Sequence, residues 1–353
     1  MLARRVRVLM DAQASRGERF LYYNSEKPLA ERFAENEPAA VADVETGEFF
    51  ARLRRNEDAH DDYLYYNGLL ALLGPEMVKD VDVDAVLRCP MDDEPTVNAW
   101  IGGANVTASM HYDSFHNVYV QLFGSKRFVL YPPSHEHTLF PKLHPSYRQV
   151  QRVPEVDGDA AGDSAALDAM GRIVITLRAG EALYLPPFWF HHVTAVDTSI
   201  SINAWCLSRE FKVMDDAVLL PIPMESEWDE ATLHDAVRIY ATMIVELGPM
   251  PRIDFVRRVL YSRYEPLGDV GAPHAHCTSR DSEREARLRA HMARGIDALA
   301  PLFDAIDDDV VREWHMANYI EELVSLVVGA DRTQAFIRDC LLDNAQHHVH
   351  DSL

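Results

Sequence analysis

Residues 111–133 read HYDSFHNVYVQLFGSKRFVLYPP, and the fold turns on them. Two runs rich in Val, Tyr and Phe, NVYVQLF at 117–123 and KRFVLY at 126–131, flank Gly124-Ser125. Such residues favour a pleated, half-buried surface, and the small pair between them is a turn signal. The stretch therefore predicts two strands joined as a tight hairpin. Ahead of them stands His111-Tyr112-Asp113. Side chains at i and i+2 of a strand share a face, which sets the imidazole beside the carboxylate and turns Tyr112 away. A third ligand has to come from another strand. The turn EALYLPPFWFHH at 181–192 ends in His191 and His192, of which only one can face the same way. Two histidines and a carboxylate leave coordination positions open, the donor set that suits non-haem iron(II). A structural zinc site would be closed by four ligands, commonly with Cys, and no Cys neighbours these residues.

Further strands are expected at VNAWIG (97–102), RIVITL (172–177), EALYLP (181–186) and SISINAW (199–205), with a second turn at Ala179-Gly180. Many short strands separated by turn signals indicate a sandwich, barrel or jelly roll. Residues 154–170, rich in Gly, Asp and Ala, read as an exposed inserted loop. Upstream, 1–95 reads as an α/β flanking segment packing on the barrel, with helical spacing over Asp61–Leu73 stopped by Gly74-Pro75. Residues 96–207 form the expected barrel core. From 208 to 353 the period becomes helical, with segments at Asp229–Leu247, Asp254–Tyr261, Ser282–Leu299, Asp308–Val328 and Arg332–Ala345. Ile320, Leu323, Val324, Val327 and Val328 form one apolar stripe, suited to a core face or a subunit interface.

The chain of 353 residues is 48% hydrophobic, enough for one large domain with an appendage or for two domains. Its formal net charge is −22, which disfavours generic nucleic-acid binding and leaves room for a basic partner. Cys89, Cys206, Cys277 and Cys340 are far apart in sequence and form no C-x-x-C pair, so free thiols in a reducing compartment are expected. No apolar run reaches the length of a membrane span, and MLARRVRVLMDAQ lacks a signal-peptide core. A cytoplasmic or nuclear location follows. His274, His276 and Cys277, like His347, His348 and His350, read as exposed loop residues.

The stretches 111–133, GEALYLPPFWFHHV (180–193) and SISINAW (199–205) together resemble the JmjC-type, cupin-like oxygenases that use iron(II) and 2-oxoglutarate, and within them the branch that hydroxylates asparagine in hypoxia-inducible factor. The resemblance implies a mainly β core, a double-stranded β-helix (jelly-roll or cupin), followed by helices. It implies His111, Asp113 and His191 as iron ligands and catalytic centre, since the first His of the aromatic-His-His turn is the family's ligand. Lys126 would meet the far carboxylate of 2-oxoglutarate. A dianion inside a barrel needs a buried cation, and an unpaired buried Lys is costly. Asn117 and Asn203 would lie beside the cosubstrate, and a buried amide such as Asn203 needs partners in any case. Thr107 resembles a cosubstrate-binding Thr. However, Thr107-Ala-Ser-Met-His111 is one residue longer than the usual Thr-Pro-x-His, which leaves Ser109 as an alternative. Arg148 and Gln149, in HPSYRQVQ (144–151), would contact a peptide substrate.

The implied activity is hydroxylation of a protein side chain with dioxygen, releasing succinate and carbon dioxide. N-methyl-lysine demethylation and small-molecule hydroxylation use the same chemistry, and a non-catalytic cupin scaffold is the rival of another class. The family resemblance also implies a homodimer through the C-terminal helices.

Overall fold

A computed structural model describes residues 5–11, 19–20, 40–55, 63–82, 88–90, 94–134, 142–143, 148–149, 164–264 and 282–342. The chain divides into two compact units, Met1–Pro133 with Val153–Ser208, and Ser134–Arg152 with Arg209–Leu353.

The strands in chain order are β1 (Arg5–Asp11), β2 (Arg19–Phe20), β3 (Ala40–Glu45), β4 (Tyr63–Leu69), β5 (Thr96–Gly102), β6 (Val106–His111) and β7 (Phe115–Phe123). They continue with β8 (Ser125–Tyr131), β9 (Lys142–Leu143), β10 (Arg148–Gln149), β11 (Ile173–Arg178), β12 (Ala182–Leu185), β13 (Phe190–Ala195) and β14 (Ser199–Leu207). The first unit holds two sheets, ordered β12-β7-β14-β5-β4-β1-β3 and β11-β8-β13-β6-β2. All neighbours run antiparallel except β2, which lies parallel to β6. The chain crosses from one sheet to the other at β5–β6–β7–β8 and again at β11–β12–β13–β14. That alternation is the jelly roll expected from the sequence.

The turn at Gly124-Ser125 is therefore not a hairpin. β7 and β8 lie in different sheets, and the turn is a corner between them. Gly124 has φ +67°, and a Cβ there would run into the Thr198 carbonyl and Asp197. Asp197 accepts from the Ser125 backbone N–H at 2.6 Å and so ties this corner to the one between β13 and β14. A sequence run cannot distinguish a hairpin from a sheet-changing corner, because both need a Gly with φ > 0.

Asp61–Leu73 is likewise mostly strand. β4 occupies Tyr63–Leu69, and only Leu70–Leu73 turns helical. The Tyr-rich run suits a sheet, and pairing with both β1 and β5 outweighs the helical spacing. Of the stretch 154–170, Ser164–Ala169 forms a helix with Leu167 buried, and the remainder up to 163 lies outside the described residues.

Between the sheets, Tyr119, Phe128, Leu130, Leu177 and Leu185 form a buried cluster with Trp100, Ile175, Leu183, Trp189 and Val193 against it. Each large apolar side chain buried this way contributes about 1.5–3 kcal/mol. A second core lies on the other face of the larger sheet. There Phe49 and Leu53 of the helix Thr46–Arg55 pack with Val6, Val8, Leu64, Tyr66, Ala99, Ile101 and Ile202.

Cys89 and Cys206 are joined in a disulfide across 117 residues of sequence, and no described cysteine is free. The expectation of free thiols is corrected: the backbone of residue 89 comes within 5.2 Å of that of 206, Cα to Cα.

The second unit is helical. Glu230–Val245 and Asp309–Val328 start on Asp229 and Asp308, whose side chains accept N–H groups of the first turn. Ser282–Asp304 packs with both. Phe255–Leu260 and Ile337–Leu342 are π-helical. Ile320, Leu323, Val324 and Val328 are nearly inaccessible to solvent, so the apolar stripe is a core face and not a free subunit interface. No described helix is long and apolar enough to cross a membrane. The loop histidines at 274, 276, 347, 348 and 350 lie outside the described residues.

Candidate metal and cosubstrate site

His111 is the last residue of β6, and Asp113 follows just beyond the strand's end. The carboxylate thus comes from the link between β6 and β7, not from the i+2 position of a strand. His191 stands on β13, directly across from His111. One donor atom from each of His111, Asp113 and His191 lies within 4.8 Å of the others. The two imidazole centroids are 4.0 Å apart, and His191 Nε2 is 3.6 Å from Asp113 Oδ2.

The second nitrogen of His191 is engaged too. Its Nδ1 lies 3.0 Å from the Trp189 carbonyl, which can only accept, so Nδ1 carries the proton and Nε2 is left as a lone-pair donor. Burial, and then the neighbouring His111, push the His191 imidazole down to about 4, so it is neutral at pH 7, as a ligand must be. His192, one residue on, pairs with Val129 on the opposite face of the strand and is not in the cluster.

The turn before His191 is held from several sides. Phe188 adopts φ +65°, costly for a residue with a side chain. Its N–H donates to the Asp113 carbonyl at 2.7 Å, and its ring packs on Tyr112, which also meets Phe190 edge-on. These contacts lock the Asp113 link to the His191 turn.

Deeper between the sheets lies Lys126 of β8, 3% exposed. Its Nζ donates to the Tyr119 hydroxyl at 2.7 Å and to Ser201 Oγ at 3.0 Å, and it stands over the Tyr65 and Tyr119 rings. The Ser201 hydroxyl donates in turn to the Trp100 carbonyl. No carboxylate is among the ion-pair partners of Lys126 within the described residues, and burial pushes its ammonium down to about 7. Burial also raises the Tyr119 phenol, which stays protonated.

Asn117 and Asn203 project from β7 and β14 into the same interior and are 4% and 1% exposed. Asn203 Nδ2 donates to Asn117 Oδ1 at 3.0 Å, and Trp100 Nε1 donates to Asn203 Oδ1 at 2.9 Å. Asn117 reaches this position on β7, after the chain has changed sheets from the β6 that carries His111.

Thr107 is not brought to these residues. β6 carries a bulge: His191 pairs with His111, but Val193 pairs with Ala108 and Thr194 with Thr107. Thr194 faces the opposite way from His191, and the Thr107 hydroxyl bonds to Thr194 and to the Asn105 carbonyl. The bulge absorbs the extra residue of Thr107–His111. The Ser109 side chain lies outside the described residues. Arg148 and Gln149 form β10, paired with β9 in the second unit, and their side chains are likewise not described.

The sequence pointed to none of Tyr119, Ser201 and Trp100. Tyr119 is two residues from Asn117 and Ser201 two from Asn203, so strand parity held the signal once those asparagines were chosen. Asn98 Nδ2 and Trp205 Nε1 are buried donors with no hydrogen-bond partner among the described residues, on interior-facing positions of β5 and β14.

A double-stranded β-helix with a His-x-Asp and a distal His converging at one end is a cupin of the JmjC kind. Residues 3–208 match the family model described as "Cupin-like domain", and the chain belongs to that family. It is 30% identical over 148 residues to the Jumonji C domain-containing protein 5 of Drosophila melanogaster, covering 41% of this chain and 36% of that protein. It is 33% identical over 128 residues to the human bifunctional peptidase and (3S)-lysyl hydroxylase JMJD7, covering 31% of this chain and 40% of that protein. With the lysine-specific demethylase JMJ30 of Arabidopsis thaliana it shares 26% over 169 residues, 46% of this chain and 38% of that protein. The chain thus spans well under half the length of these relatives.

Proposed function

We propose that the protein is an iron(II)- and 2-oxoglutarate-dependent oxygenase that hydroxylates a protein side chain. The observation that carries the reading is the pairing of two features in one interior. Three metal-type donor atoms meet within 4.8 Å. Behind them a buried Lys126 has hydroxyls, and no described carboxylate, for partners. The donor set fits iron(II) with open positions. The lysine fits an anion that the protein does not itself supply.

In this reading His111, Asp113 and His191 hold the metal, and Lys126 with Tyr119 and Ser201 holds the distal carboxylate of 2-oxoglutarate. Asn117 and Asn203 flank the cosubstrate. Thr107 drops out of that set because of its face, and Arg148 and Gln149 remain substrate contacts by resemblance alone. Iron(II) with 2-oxoglutarate and dioxygen supplies an oxidant that inserts oxygen into a C–H bond, releasing succinate and carbon dioxide. The chain's own work is to orient and to exclude water. The Trp189 carbonyl aims His191, the Phe188 contacts fix Asp113, and the apolar cluster around Phe128 and Leu130 keeps the interior dry.

A protein substrate is supported by relatives named a lysyl hydroxylase and lysine-specific demethylases. The demethylase names favour N-methyl-lysine demethylation as the second reading. Self-association through the C-terminal helices would have to use a face other than the buried stripe, such as that of Leu326, 73% exposed. A cytoplasmic or nuclear site of action remains part of the reading, although free thiols at Cys89 and Cys206 no longer support it.

Succinate formation from 2-oxoglutarate by the purified chain with iron(II), ascorbate and air tests the reading, beside His111→Ala and Lys126→Ala. Turnover by the wild type and loss in both variants is expected. A wild type that binds neither iron nor 2-oxoglutarate leaves only the scaffold interpretation. Lysine-containing peptides then separate the two substrate readings, by gain of one oxygen or loss of one methyl group.

A further inference from the structure

An asparagine carboxamide is nearly symmetric in shape and opposite in chemistry at its two ends. One end only accepts hydrogen bonds and the other only donates. Whichever end Asn117 turns toward a cosubstrate decides whether it attracts or repels a carboxylate or keto oxygen. The amide's environment has to settle that orientation.

The settling group is Trp100. An indole N–H has no acceptor form, so Trp100 Nε1, 2.9 Å from Asn203, can be met only by the Asn203 oxygen. That fixes Asn203 with its Nδ2 toward Asn117, 3.0 Å away. Asn117 must then accept with its oxygen, which leaves its NH2 group for the pocket. The three residues sit on interior-facing positions of neighbouring strands β5, β14 and β7, with Asn98 paired to Asn203 and Asn203 to Tyr119 in register. The Trp100 ring is held by Tyr65 and Trp205, with centroids at 6.4 and 6.1 Å, so the indole has little freedom to swing away.

We infer that Trp100 is a positioning residue whose indole N–H, relayed through Asn203, holds Asn117 with its NH2 end toward the 2-oxoglutarate site. The inference rests on the cosubstrate reading given above. It adds a residue whose side chain need not touch the cosubstrate and whose effect depends on Asn117. Loss of the N–H lets both carboxamides rotate, and the oxygen end of Asn117 then competes for the pocket side.

Trp100→Phe keeps an aromatic ring against Tyr65 and Trp205 and removes the donor together with part of the indole's bulk. Calorimetric titration of 2-oxoglutarate into manganese(II)-loaded protein reads the effect without any turnover. Trp100→Phe is expected to weaken 2-oxoglutarate roughly three- to tenfold, the range of one net hydrogen bond, with manganese affinity unchanged. In an Asn117→Ala background the same substitution is expected to change nothing, since no carboxamide is left to orient. Asn203→Leu, which breaks the relay at its middle and also removes an amide beside the cosubstrate, is expected to weaken 2-oxoglutarate at least as much as Trp100→Phe, with no further loss when the two are combined. It serves as the test should Trp100→Phe fail to fold. An unchanged affinity in Trp100→Phe, or losses that multiply in the double variant with Asn117→Ala, overturns the inference. A wild type that binds manganese but no 2-oxoglutarate removes the cosubstrate reading itself, and the relay's role with it.

Discussion

Lys126 carries a positive charge into an apolar interior and finds two hydroxyls there. Its ammonium titrates near 7 instead of the ordinary lysine value of 10.5, because burial penalises the charged form. A bound carboxylate would favour the charged form and raise that value again. Binding then takes up a proton whenever the free lysine is neutral. The affinity for 2-oxoglutarate is therefore expected to be full below pH about 7 and to fall as pH rises beyond it, read by calorimetry at a series of pH values. A flat profile would count against a lysine partner. Stability without cosubstrate has the opposite trend: the buried charge destabilises fully below about 7, and the penalty is relieved as pH rises toward 10.5. Lys126→Met should cost roughly ten- to hundredfold in 2-oxoglutarate affinity, the range for a hydrogen bond to a charged group. His111 and Asp113 were legible from the residues themselves, and the roles of Lys126 and Asn203 were implied by the family resemblance, in keeping with the cost of leaving a charge or amide unpartnered in an apolar strand. Tyr119 and Trp100 were not legible, because aromatic residues in strands ordinarily signal packing. Their polar contacts arise only from cross-strand and cross-sheet neighbours.

At the scale of elements, the runs 97–102, 117–123, 126–131, 172–177, 181–186 and 199–205 all became strands, with bounds moved by one or two residues. Their pairing was not legible. Gly124-Ser125 looked like a hairpin and is a corner, and the run at 63–69 joined the larger sheet instead of forming a helix. Local patterns report the backbone conformation of a segment, while partner choice depends on residues far along the chain. The corner makes a testable point. Gly124→Ala is expected to destabilise by at least roughly 1–2 kcal/mol from the left-handed conformation alone, with more from the Thr198 carbonyl in the way. A urea midpoint indistinguishable from wild type would refute the corner geometry. The bulge in β6 is the other element-scale lesson. A motif one residue too long was visible in the sequence, but which side chains the bulge turned over, Thr107 among them, was not.

At the scale of the whole molecule, the two units are built on different interiors, one between sheets and one among helices. The helical unit contains an ion pair almost sealed from water. Arg263 donates to Glu321 at 2.6 Å and to Asn318 at 2.9 Å, and the two charged residues are 3% and 1% exposed. Removing one partner strands the other, so Arg263→Met is expected to cost about 3–5 kcal/mol, while Arg263→Met with Glu321→Leu recovers most of it. Chemical denaturation of the three proteins checks both halves.

The bond between Cys89 and Cys206 encloses nearly the whole double-stranded β-helix in a covalent ring. A protease that nicks the chain once anywhere between those two positions would cut the backbone without releasing a fragment. On a denaturing gel such material should migrate near the intact chain until a reductant is added, and only then fall into two pieces. Limited digestion followed with and without reductant would therefore report where the chain is vulnerable, and the ring itself would act as the tether that keeps a damaged barrel in one molecule.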